Sequence, residues 1–429
     1  MIYKDEFLRI KKYIEENCRA DDYSVNLSLK RKNDIRFAQN SITQNMEGEK
    51  AFLRLDTAFG NQHGSATVNQ LDEESLHFLI DSACSIASAN RKDPEYMATS
   101  GPCRLPEVSN YYNSTYALRP EKMVEDIIKV ADFAESLDSM VSGIASKAVS
   151  EEFSATANGF YDETSTTSYS FSSTLIKGNL ETKVERSYLD YEKFDIYDFI
   201  AALKYQHDAL DKEPETLPRG QYTVILMPSA VSRLFSFMIY FMDRRTADLG
   251  LTVFSGNLGR ELMGGMFSMR SSIKDRDLKA VSSFFNSTPA ADIDWVKSGF
   301  LENLPCDRFY ASKTGVVPSY PYNIIIEGGK ANLGEMMKTG KKGLIINDLW
   351  YLGAVDARKG EITGMTRDGV LYFEDGEIRY PVKNFRFNEI PVDVSKRIIM
   401  LGPEQLVSIR AKVPGMMVSD FNFVDNTSF

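Results

Sequence analysis

Between residues 23 and 69 the stretch YSVNLSLKRKNDIRFAQNSITQNMEGEKAFLRLDTAFGNQHGSATVN alternates apolar and polar side chains in short runs broken by Asn and Gly. A period of two buries one face of a strand and cannot bury one face of a helix, so the early chain must form several strands. Helical spacing flanks this region. Phe7, Ile10, Ile14 and Cys18 predict an amphipathic helix ahead of it; Asp72 caps a second, with Leu76, Leu79, Ile80, Ala83 and Ala87 on its inner face. Pro120 suits the first turn of a third helix carrying Met123, Ile127, Val130, Ala134 and Leu137. Asn158-Gly159 between β-prone runs signals a hairpin, and Ile196, Phe199, Ile200, Leu203, His207 and Leu210 mark a fourth helix. The segment DKEPETLPRGQ has little to bury, and it separates an expected amino-terminal domain, residues 1–212, from a carboxy-terminal domain, residues 220–429. Beyond it the chain becomes strand-rich, with turn signals at ARKGE, TRDGV and FEDGEI, the last a hairpin around Asp375-Gly376.

The chemistry available is narrow. A chain of 429 residues, 43% hydrophobic and 26% charged, is ordinary globular material with room for sizeable cores. Its net charge of -10, with no basic block, argues against nucleic acid or an anionic membrane as partner. The charged amino terminus is no signal peptide and no apolar run is long enough to span a bilayer, so a cytoplasmic protein is expected. Four scattered cysteines (Cys18, Cys84, Cys103, Cys306) without a CxxC pair suit a reducing compartment rather than a disulfide framework or zinc ribbon. Only three histidines exist: His63 in a turn, His77 off the apolar face of its helix, and His207 on an apolar face, where it reads as a core histidine with hydrogen-bonded ring nitrogens. None has a second ligand at metal spacing, and no GxSxG elbow marks a nucleophilic serine. Cys306 is a possible nucleophile, but Asp307 opposes the lowered pKa that a reactive thiol needs, while Arg308 favours it. SGNLGRELMGG and IIIEGGKANLGE lack phosphate-loop spacing and read as turns.

The most informative segment is a strand, YTVILMP, running straight into a helix, SAVSRLFSFMIYFMDRR. Val231, Leu234, Phe235, Met238, Ile239 and Met242 form a continuous stripe, and Phe237, Tyr240 and Phe241 widen it almost all round, so the helix is expected in a core or under a partner. Residues 343–387, GLIINDLWYLGAVDARKGEITGMTRDGVLYFEDGEIRYPVKNFRF, resemble the carboxy-terminal signature of the TldD/PmbA (TldD/TldE) family. DIRFAQNSITQ with GSATVNQLDEESLHFLIDSACSIA, ANGFYDETSTTSYSFSSTL and LGPEQLVSIRAKVPGMMVSDFNF agree with the family pattern in order and spacing; residues 244–300 match it poorly.

The resemblance implies a two-domain α+β TldD/PmbA fold, with helices on a sheet in the amino-terminal domain and a mostly β carboxy-terminal domain. TldD-type members carry His-Glu-x-x-x-His on the helix after the first strand of the second domain, and a cysteine near the carboxy terminus. Those three positions fall here on Ser236, Phe237 and Phe241, and SIRAKVPGMM has no cysteine. Aromatic rings neither ligate a metal nor move a proton. The chain therefore resembles the TldE/PmbA branch: a subunit with no catalytic residue, metal or cofactor of its own. It would pair with a TldD-like metallopeptidase that holds zinc or iron, as a heterodimer or, without that partner, a homodimer, and act on unfolded or modified peptides. Asn347, Asp348, Trp350 and Tyr351 are candidates for lining a peptide channel, with hairpin packing as the competing account. Two other functions stay open: an autonomous hydrolase using Cys306 or an unmarked serine, and a regulatory protein-binding module of the gyrase-modulator kind.

Overall fold

The computed structural model describes residues 3–178, 180–208, 212–285 and 288–427. The alternating stretch folds into very long strands: β1 (Asp22–Ala38), β2 (Ser41–Phe59) and β3 (Gln62–Val68), joined later by β4 (Met140–Thr156), β5 (Tyr161–Lys177) and β6 (Leu180–Tyr188). They form one antiparallel sheet in the order β3-β2-β1-β4-β5-β6. Val25, Leu27, Leu29, Ile35 and Phe37 of β1 all lie on one face and are buried there. Four long helices cover that face among the described residues. Helices α1 (Lys4–Asn17) and α2 (Glu73–Ala89) cover one end of it, with Phe7, Ile10, Ile14, Leu76 and Leu79 in the core. Helices α3 (Pro120–Ser136) and α4 (Ile196–His207) cover the other end, packing Ile127, Val130, Phe199 and Leu203 on Phe37 and Phe171. Asp72 caps α2 by accepting from the Ser75 amide at 2.9 Å, and Pro120 opens α3. Leu210, expected on the α4 face, lies outside the described residues. Among the described residues neither ring nitrogen of the buried His207 finds a hydrogen bond, which corrects the expectation of a satisfied core histidine.

The second half centres on a ring of strands: β7 (Gly220–Leu226), β8 (Lys342–Asp356), β9 (Glu361–Glu374), β10 (Phe385–Glu389) and β11 (Ala411–Asn426). β7 pairs parallel with β8 and antiparallel with β11, which closes the ring. Period-two alternation is plain in β7, where Val224 and Leu226 face the main core while Ile225 faces a second cluster on the other side with Met336, Phe373 and Met417. The architecture is α+β in two domains, and no described helix is long and apolar enough to cross a membrane.

The two Asp-Gly turn signals differ in outcome. Asp375 and Gly376, at φ 53° and 83°, join β9 to the strand Glu377–Val382, as a two-residue hairpin turn requires. Asp368 and Gly369, at φ 57° and 110°, make no turn but a bulge inside β9, with Asn347 opposite both. The bulge frees the Asp368 carbonyl to accept from Asn347 Nδ2 at 2.7 Å and from Thr182 Oγ1 of the first domain at 3.1 Å. A further link is made by residues 272–285, which reach back to the polar face of the first sheet. Asn110, almost fully buried, exchanges two 2.9 Å hydrogen bonds with the backbone of Ala280, and Ser282 and Ser283 bond Asp162.

Candidate functional site

Strand β7 ends at Leu226 and Pro228 begins helix α5 (Pro228–Met238), which continues as a 3-10 turn over Ile239–Phe241. Proline fits here because the first helical N–H has no intrahelical acceptor to lose. Ala230, Val231, Leu234, Phe235 and Met238 are buried against the strand ring, and Phe235 packs against Phe267 with tilted rings, centroids 4.6 Å apart. The opposite face does not join the core. Tyr240 is 79% exposed and Arg233 is exposed, so the stripe is one-sided rather than nearly all round as its composition suggested. The tyrosine hydroxyl and the guanidinium keep that face in water.

Ser232, Arg233, Ser236, Phe237 and Tyr240 follow one another at helical spacing and form one wall of an open groove of about 740 Å³. The facing walls are Phe285, Tyr320, Pro321, and the segment Pro305-Cys306-Asp307, which is pinned by reciprocal 3.0 Å backbone bonds between Cys306 and Ser319. Leu352 of β8 adds to the lining. The three positions that the resemblance assigns to His-Glu-x-x-x-His separate: Ser236 and Phe237 line the groove, while Phe241 is buried in the core. Among the described residues no three His, Cys, Asp or Glu side chains gather as a metal would need, and no histidine lines the groove.

Cys306 is buried, and its thiol is pushed up to about 11 by desolvation and by Asp307, with Arg244 opposing weakly. A neutral thiol with no base beside it is a poor nucleophile. Asp243 and Asp307 also line the groove, but each caps a short helix, accepting from the amides of Thr246 at 2.9 Å and Tyr310 at 2.8 Å. Among the described residues Arg233 is the one cation in the lining. Its Nε donates to Asp348 Oδ1 at 2.6 Å, and that same oxygen accepts the Leu349 amide at 2.9 Å.

The four channel candidates on β8 have different surroundings. Asn347 spends its amide on the domain junction, accepting from Gln206 at 3.1 Å and donating to the carbonyls of Asp368 and Lys183. Asp348 is buried under Arg233. Trp350 is half-exposed beneath the Arg367 guanidinium, 4.0 Å from its centroid, and Tyr351, at φ 54° in a bulge, stands 69% exposed with its ring edge-on to Trp350. Only Asp348 reaches the groove's chemistry, through Arg233. Sequence reasoning missed Arg233, Phe285 and Tyr320. The first had a signal, as the single charged residue between Pro228 and Asp243; the other two sit in irregular chain with none.

Residues 219–425 match the family described as the PmbA/TldA metallopeptidase C-terminal domain. No curated protein sequence matches the chain. Among solved structures, it is similar to TldE from Thermococcus kodakarensis at 14% identity and TM-score 0.86, covering 98% of this chain and 100% of that one. It is also similar to a candidate modulator of a DNA gyrase from Thermotoga maritima (15% identity, TM-score 0.84, 98% of this chain and 100% of that one). A third similar structure is a candidate DNA gyrase modulator from Bacteroides thetaiotaomicron (17% identity, TM-score 0.84, 98% of each chain). At these identities the structural likeness establishes the fold.

Proposed function

We propose, from the premise that the chain belongs to the PmbA/TldD family through its carboxy-terminal half, that it is the TldE-like, metal-free subunit of a two-chain peptidase. Its partner would be a TldD-like chain supplying the metal and the activated water. The substrates would be unfolded or modified peptides.

One observation carries this reading: a groove large enough for a peptide segment runs along the helix to which the resemblance assigns the family's metal motif, and that helix offers Ser236 and Phe237 to it and sinks Phe241 into the core. A hydroxyl and an aromatic ring supply neither imidazole nor carboxylate, so the groove has shape without hydrolytic machinery. The protonated Cys306 thiol, lacking a base, speaks against an autonomous cysteine hydrolase. The gyrase-modulator descriptions of two similar structures favour a second reading, a regulatory protein that binds another protein's surface.

The test is co-purification and assay with a TldD-like chain carrying His-Glu-x-x-x-His. The expected outcome is a stable pair that cleaves unfolded peptides and stops when a chelator is added, with neither activity nor stoichiometric zinc or iron in this chain alone. Robust cleavage by this chain alone, or capture of gyrase with no TldD-like partner, overturns it.

A further inference from the structure

We infer that the groove along α5 holds the free carboxy-terminal end of an extended peptide, with Arg233 as the carboxylate anchor. The inference rests on the reading above only in naming a peptide as the ligand.

Arg233 is placed as an anchor should be. Its Nε is tied to Asp348, whose Oδ1 is fixed in turn by the Leu349 amide, so the guanidinium is held from behind. A guanidinium has five N–H donors, and among the described residues no other bond engages this one. The residue lines the groove, and its terminal nitrogens, which make no hydrogen bond among the described residues, are free to form the paired N–H···O bonds that fit a planar carboxylate. An arginine left loose on a surface has to surrender side-chain freedom on binding; this one has already done so.

The neighbours share the same donor character. Ser232 and Ser236 lie one turn apart on the same helix face and line the groove, and neither hydroxyl has a partner among the described residues. Two open hydroxyls beside a guanidinium suit the oxygens of a chain end. Beyond them the lining turns aromatic: Phe237 packs against Tyr240 with tilted rings 5.4 Å apart at their centroids, and Tyr320, 55% exposed, lines the groove from another segment. Such surfaces accept apolar side chains of varied shape, while the anchor fixes which end of the peptide is held.

A fluorescein-labelled hexapeptide with two aromatic residues near a free carboxy terminus, compared with its carboxy-terminal amide, tests this on the full chain by fluorescence anisotropy. The free acid should bind about tenfold or more tightly than the amide. Arg233→Gln, which can still donate to Asp348, should abolish that preference with an unchanged melting temperature, and Arg233→Lys should restore only part of it. An amidated peptide ending in aspartate should bind like the amide, separating a chain end from an acidic side chain. Equal binding of acid and amide, no binding of either, or a preference that survives Arg233→Gln overturns the inference. Size-exclusion with the TldD-like chain reads the proposed function separately: a complex without acid preference sinks only the anchor, and acid preference without a complex sinks only the partnership.

Discussion

Tyr240 and Phe241 are adjacent, similar in size, and opposite in fate: the first is 79% exposed and the second 5%. Helical geometry turns successive residues by about 100° in an α-helix and about 120° in the 3-10 turn that holds this pair, so neighbours in an apolar run need not share a face. Composition alone made the run look buried all round; the phenolic oxygen and the nearby Arg233 decided which side stayed wet. The same contrast predicts unequal costs. Phe235→Ala should lose about 3–5 kcal/mol in urea unfolding because it empties space against Phe267, whereas Tyr240→Ala should stay within about 0.5 kcal/mol. Cys306 supplies a second test. With its thiol pushed up to about 11, iodoacetamide at pH 8 should modify exposed Cys103 well before Cys306, as mass spectrometry of digested protein would report. Rapid labelling of Cys306 would reopen the nucleophile question.

At the level of elements, periodicity told the truth wherever one face is buried against one partner layer. The face of α1 through Phe7, Ile10 and Ile14, the cap at Asp72, Pro120 in the first turn of α3, and the strand-to-helix passage at Pro228 were all readable because each follows from local chemistry. The groove was not readable, since its walls come from α5, from the irregular chain near Phe285, and from Tyr320, segments distant in sequence. Turn signals were ambiguous in an instructive way. Asp375-Gly376 and Asp368-Gly369 carry the same dipeptide and the same left-handed backbone, yet one makes a hairpin and the other a bulge. What differs is tertiary: the bulge is locked by Asn347 and Thr182, which no window around residue 368 contains. Asn347→Ala should therefore weaken the junction of the domains, by about 1–3 kcal/mol in denaturant unfolding, and leave the isolated groove's ligand binding unchanged.

For the whole molecule, the domain junction is polar and partly charged. Lys193 of the first domain pairs with Asp277, and Lys412 of β11 reaches Asp275 and Asp277 at 3.1 Å each. Burial pushes the Asp277 carboxyl up, but hydrogen bonds from Lys193 and Lys412 outweigh it and hold it below the usual range. A carboxyl depressed in the folded state stabilises above its unfolded value, about 3.9, and that stabilisation is lost as pH falls through the folded value. The urea midpoint should accordingly fall on acidification below about pH 4, and Asp277→Asn should lower it at pH 7 while flattening that acid limb. An acid limb identical in the variant would remove Asp277 from the account. The ring of strands has a consequence for biosynthesis. β7 begins at Gly220, but its two neighbours are β8 and β11, and β11 ends at Asn426. A nascent chain emerging from the ribosome must therefore leave one edge of β7 unpaired until residues 416–423 of β11 have been made, an open strand edge that makes the second half of this protein a natural client for a chaperone.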